Sequence, residues 1–112
     1  MNTETLNWTA VCAADDILPH TGVCARVGER HVAIFRVGSD DFYAIDNVDP
    51  KAGASVLSRG LVGSLGERIV VASPLYKQHY DLRTGECVEA PEHSVRAHAV
   101  RIDQGRVLIA SN

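Results

Sequence analysis

Short apolar runs, each cut off by a break rich in glycine or aspartate, set the rhythm of this chain. Residues 7–12 are β-prone and predict a first strand. Residues 13–19 have room for one helical turn before Pro19, but their composition favours a corner. A second strand is expected over 21–27, ended by Gly28-Glu29, and a third over 30–37. Gly38-Ser39-Asp40-Asp41 joins the third to a fourth over 42–47, and both connections have hairpin length and chemistry. Residues 48–60 have no clean period and carry Pro50, Gly53 and two serines, which predicts a loop.

Beyond it, 61–63 and 68–72 flank Ser64-Leu65-Gly66-Glu67 as another hairpin. Residues 78–82 and 86–88 bracket an Arg83-Thr84-Gly85 turn, and Ala90-Pro91-Glu92 is an irregular connection. In the last pair His98, Val100 and Ile102 share one face, Asp103-Gln104-Gly105 turns, and Val107 and Ile109 face back. No stretch repeats every 3.6 residues, and no linker or low-complexity tract interrupts the pattern. Many short strands joined by glycine-rich turns make an all-β sandwich or small barrel the expected fold class.

The 112 residues suit a single domain, 1–112, and 46% apolar with 22% charged residues is an ordinary globular composition. A net charge of −3 gives no reason to expect nucleic acid or an anionic membrane as partner. No apolar run approaches the ~20 residues of a membrane span. Residues 1–6 show neither a basic region nor an apolar core of a secretory signal. The cysteines Cys12, Cys24 and Cys87 are odd in number and widely spaced, so they read as reduced thiols acting as small core hydrophobes. A cytoplasmic location is the expectation. The five histidines lack metal-site spacing, and His98 reads as a half-buried, satisfied side chain.

Two stretches stand out. One is Asn47-Val48-Asp49-Pro50-Lys51-Ala52-Gly53, followed by Leu57-Ser58-Arg59-Gly60. The other is Ala72-Ser73-Pro74-Leu75-Tyr76-Lys77-Gln78, followed by Tyr80-Asp81-Leu82-Arg83-Thr84-Gly85. Together they resemble the two cluster-binding loops of a Rieske [2Fe–2S] domain, Cys-Pro-His-x-Gly and Cys-Pro-x-His with an aromatic-Asp-x-x-Thr-Gly tail. The resemblance implies a β-sandwich with a small inserted subdomain, about 47–85, that carries both loops.

The same matching puts Asp49 and Ser73 at the cysteine positions and Lys51 and Tyr76 at the histidine positions. Rieske centres need two thiolates and two imidazoles. A lysine amine is protonated near neutral pH, and serine and tyrosine oxygens replace soft donors poorly. The expectation is therefore a Rieske-like fold without a cluster and with no cofactor or metal of its own. An Asp, Lys, Ser and Tyr brought together could support acid–base chemistry. Without an implied pocket or activating histidine, the preferred expectation is structural, with an Asp–Lys pair and hydrogen bonds holding the loops. No residue is expected to be catalytic.

The segments 16–25, 32–36, 56–61 and 71–78 are similar to the small subunit of NAD(P)H-dependent cytoplasmic nitrite reductase. That resemblance implies a supporting role in reducing nitrite to ammonium, in nitrate assimilation or nitrite detoxification. It implies a large-subunit partner carrying FAD, sirohaem and iron–sulfur clusters; this chain, with no dinucleotide fingerprint and no metal ligand set, is then expected only to assist. Arg59, Lys77, His79 and Arg83, with Lys51, put positive charge on or near the loops of an acidic chain. They are candidates for docking that partner, or else solvated loop charge of little energetic weight. A free-standing Rieske ferredoxin and a cluster-less β-domain adaptor are the competing expectations.

Overall fold

In a computed structural model that describes residues 7–111, every regular element is a strand or a single 3₁₀ turn. The reading of residues 1–6 lies outside the described residues. The strands are β1 (Asn7–Ala13), β2 (Thr21–Val27), β3 (Arg30–Val37), β4 (Asp41–Asp46), β5 (Val48–Asp49) and β6 (Ala54–Ser55). They continue with β7 (Leu61–Leu65), β8 (Arg68–Ala72), β9 (His79–Asp81), β10 (Ala97–His98), β11 (Val100–Asp103) and β12 (Arg106–Ser111).

A four-stranded sheet, β10-β4-β3-β2, lies at the centre. Its strand β3 explains the arrangement, because Val32-Ala33-Ile34-Phe35 is apolar at every position and wholly buried. Alternate side chains of a strand face opposite sides of its sheet. Val32 and Ile34, with Ala44 of β4, pack on Ile17, Val27, Val107 and Ile109, a core closed by the outer sheet β1-β12-β11. Ala33 and Phe35, with Ile45 of β4, pack on Leu57, Val71, Tyr80, Leu82 and Cys87 from the segment between β4 and β10. That segment forms the β5-β6 ribbon and the sheet β7-β8-β9.

Several expectations change. The loop over 48–60 contains the two-residue pairing Val48↔Ser55 and Asp49↔Ala54 and a 3₁₀ turn, Leu57–Arg59, which buries Leu57. The corner after β1 is a 3₁₀ turn over Ala14–Asp16. Residues 86–88 form no strand, since only Cys87 bridges, to Tyr80. His98 and Val100 belong to different sheets: His98 pairs with Ala44 of β4, whereas Val100 pairs with Ile109 of β12. The chain changes sheets at Ala99, and Ile102 is exposed rather than part of a shared buried face. His98 is satisfied as expected, its Nε2 2.8 Å from Oδ1 of Asp46.

Of the thiols, Cys87 is buried and Cys12 partly so, but Cys24, on the edge strand β2, is exposed. Burial, aided by Asp16 and opposed by Arg106, pushes the Cys12 thiol above its ordinary value. Among the described residues, no helix is long and apolar enough to cross a membrane.

Candidate functional site

The first loop starts where Asn47 ends the central sheet. Its side chain spans the entrance: Nδ2 donates to Ser55 Oγ at 2.7 Å, while Oδ1 accepts from the Ser58 N–H at 2.6 Å. Its carbonyl accepts from both the Val56 and Leu57 N–H groups at 3.0 Å. An asparagine can serve donors and acceptors at once, which suits a strand end that must catch a returning loop. Asn47 carries no role in the sequence reading, although its position between a strand and an Asp-Pro loop is a signal that could have found it.

Asp49, wholly buried, closes the tip of that loop. One carboxylate oxygen accepts from the Lys51 N–H at 2.8 Å and the Ala52 N–H at 3.2 Å. The other accepts a hydrogen bond from the buried Ser73 hydroxyl of the second loop. The two former cysteine positions are thus joined directly to each other. The second loop is shaped by Lys77 N–H to Ser73 O (3.0 Å) and Ser73 N–H to Gln78 O (2.8 Å), with Lys77 at φ 60°.

The former histidine positions also meet. The Lys51 ammonium lies 4.7 Å from the centre of the Tyr76 ring, a cation–π contact between the loops. The expected Asp–Lys pair is therefore replaced: Asp49 takes backbone N–H groups and Ser73, and Lys51 takes the ring. Tyr80 lies beneath these groups, fully buried. Its phenol is raised well above the ordinary range, first by burial and then by the Asp49 charge and Cys87.

These residues do not fit a [2Fe–2S] cluster. The four positions present a carboxylate and the hydroxyl hydrogen-bonded to it, an ammonium and a phenol, with neither thiolate nor imidazole. Among the described residues, no group of three or more His, Cys, Asp or Glu is placed to hold a metal ion.

The basic residues divide. Arg59, Lys77 and His79 line one pocket of about 400 Å³ with Gly60, Leu61, Ala72, Ser73 and Pro74. Arg83 does not join them. In the β8–β9 ladder Ala72 pairs with His79 and Val70 with Asp81, so the chain has climbed away from the loop tips before it reaches Arg83. There Asp81 accepts from the Arg83 and Thr84 N–H groups and closes the turn.

His79 is held by Glu89, which accepts from its N–H at 2.8 Å and lies 2.5 Å from its ring Nδ1. Burial works to raise the Glu89 carboxyl, but the hydrogen bonds from His79 outweigh it and leave the group below its ordinary value. Nothing in the local sequence marked Glu89, because the contact joins residues ten apart across β9 and the strand-less stretch after it.

A central β-sandwich carrying two proline loops on an inserted β unit defines a Rieske-like domain, here with every ligand position changed. Accordingly, residues 7–110 match the family model described as "Rieske-like [2Fe-2S] domain". Within that class the chain belongs to the family of nitrite reductase small subunits. It is 48% identical over 101 residues to the nitrite reductase (NADH) small subunit of Escherichia coli K12, covering 89% of this chain and 94% of that one. The solution structure of the E. coli protein NirD superposes with a TM-score of 0.89 at 44% identity, over 96% and 99% of the two chains. A nitrite reductase [NAD(P)H] large subunit of Klebsiella oxytoca is 45% identical over 104 residues, 93% of this chain but only 11% of that protein.

Proposed function

We propose that this chain is the non-catalytic small subunit of a cytoplasmic NAD(P)H nitrite reductase. In this reading it supports a large subunit that carries FAD, sirohaem and iron–sulfur clusters and reduces nitrite to ammonium. The observation that carries it is near end-to-end similarity, at 48% identity, to a nitrite reductase (NADH) small subunit. The Klebsiella relative adds support, since the counterpart of this chain lies within a polypeptide named as the large subunit. Redox chemistry of this kind is supplied by cofactors, with protein groups binding and orienting them. The loop tips offer no donor set for one, so the role assigned to this chain is contact. An electron-carrier role is disfavoured by the same four positions.

The test is affinity purification of the tagged chain from its own cells, followed by cofactor analysis. The expected result is retrieval of a large subunit with flavin and sirohaem, while the chain purified alone carries no stoichiometric iron or sulfide. Retrieval of no such subunit overturns the reading. Stoichiometric iron and sulfide on the isolated chain would restore the carrier.

A further inference from the structure

Three of the exposed large apolar residues belong to the start of β7 and the second loop: Leu61 (79% exposed) in the first, Leu75 (51%) and Tyr76 (50%) in the second. Leu61 begins β7, which pairs only with β8 and is therefore an edge strand. Between Leu61 and the second loop opens the pocket already described, with Gly60, Ala72 and Pro74 among its walls. Arg59 and Lys77 stand on its rim, neither has an acidic partner among the described residues, and no Asp or Glu lines it. His79, the third basic group, is already matched by Glu89. Lys51 adds a further cation beside Tyr76.

The walls are fixed. A Cβ on Gly60 would lie 2.2 Å from the Ala72 carbonyl oxygen, so only glycine lets the 57–60 turn press against β8. Asp49 and Ser73 tie the two loops from beneath. A socket built in this way costs little ordering when something enters it.

We propose that this socket receives an apolar side chain flanked by carboxylates on the large subunit, with Leu61 as the main anchor and Arg59 and Lys77 as the charged rim. The proposal rests on the small-subunit reading above and names the surface that reading leaves open. Charge complementarity selects the occupant. An apolar anchor fills a desolvated centre, and unmatched cations at the edge favour acidic neighbours and speed encounter. A second copy of this chain fits worse, because face-to-face pairing would bring Arg59 and Lys77 against their own kind.

Binding of the purified chain to the purified large subunit, followed at low and high salt, tests this. Leu61→Asp is expected to weaken binding about thirtyfold or more, as loss of a central anchor does. Arg59→Glu with Lys77→Glu is expected to weaken it about tenfold at low salt and to abolish the salt dependence. Ile102→Asp, an exposed position on the outer sheet, is expected to bind within about twofold of wild type, the usual indifference of a surface site away from the contact. Circular dichroism checks that each variant is folded, and the double charge variant carries the test if Leu61→Asp is not. If wild type binds and both loop-tip variants bind like Ile102→Asp, the socket is wrong and the subunit reading stands. If wild type itself fails to bind, the subunit reading falls and the socket with it.

Discussion

The two faces of the central sheet are covered by different chemistry. On the outer-sheet face, Ile17, Val27, Val32, Ile34, Ala44, Val107 and Ile109 form an apolar core. On the inserted face an apolar core is joined by Asn47, Asp49, Ser73 and Asp81, the buried polar residues among those described. One face is held by transfer of apolar surface from water, which is non-directional. The other adds to an apolar core of its own a set of directional bonds that are worth most when complete. The difference teaches how a site can lose its original occupant and keep its shape: an oxygen pair, Asp49 with Ser73, and a cation on a ring, Lys51 with Tyr76, now span the gap.

Ile34→Ala removes a fully buried side chain from the core shared by two sheets and is expected to cost about 4 kcal/mol. Chemical denaturation should show it, with amide exchange rising throughout β1, β3 and β12. Asp49→Ala is expected to cost less, about 2–3 kcal/mol, by leaving the Ser73 hydroxyl and two backbone N–H groups without their acceptor. Its signature should be local: exchange rises at residues 49–53 and 73–78, while β1 and β12 keep their protection. Equal spreading from both variants would erase the distinction between the faces.

The smallest effect concerns Glu89. Its carboxyl lies lower in the folded chain than in the unfolded one, so its contribution is present above the ordinary value near 4.5 and is lost as pH falls through the folded value. Glu89→Gln should therefore flatten the acid limb of the stability curve. The change should be under about 1 kcal/mol, because the pair with His79 is partly exposed and screened. A variant that follows the wild-type acid limb would show that the pair does not hold β9.

Periodicity made the strands legible, and the loop motifs made the gathering of positions 49, 51, 73 and 76 legible, though not which of them pair. What escaped was decided by contacts distant in sequence. The alternation across His98, Val100 and Ile102 continues without a break, and only the crossing at Ala99 assigns its two halves to different sheets. Arg83 looked like a neighbour of Lys77 because both follow the same proline loop, yet the β8–β9 register carries it away. Cys24 has apolar neighbours in sequence but sits on the edge strand β2, exposed, where Asn47 Nδ2 donates to its sulfur at 3.3 Å. The Asp–Lys pairing failed for a local reason: a carboxylate two residues before Lys51 is better placed for that residue's N–H than for its ammonium.

The double burial of β3 has a practical consequence for anyone wishing to dissect the molecule. Splicing out the loop-bearing unit to obtain a smaller sandwich would strip the cover from Ala33, Phe35 and Ile45 and leave a greasy wall facing solvent. The insert is a partition wall's second lining, and the polypeptide that remained would need a new one.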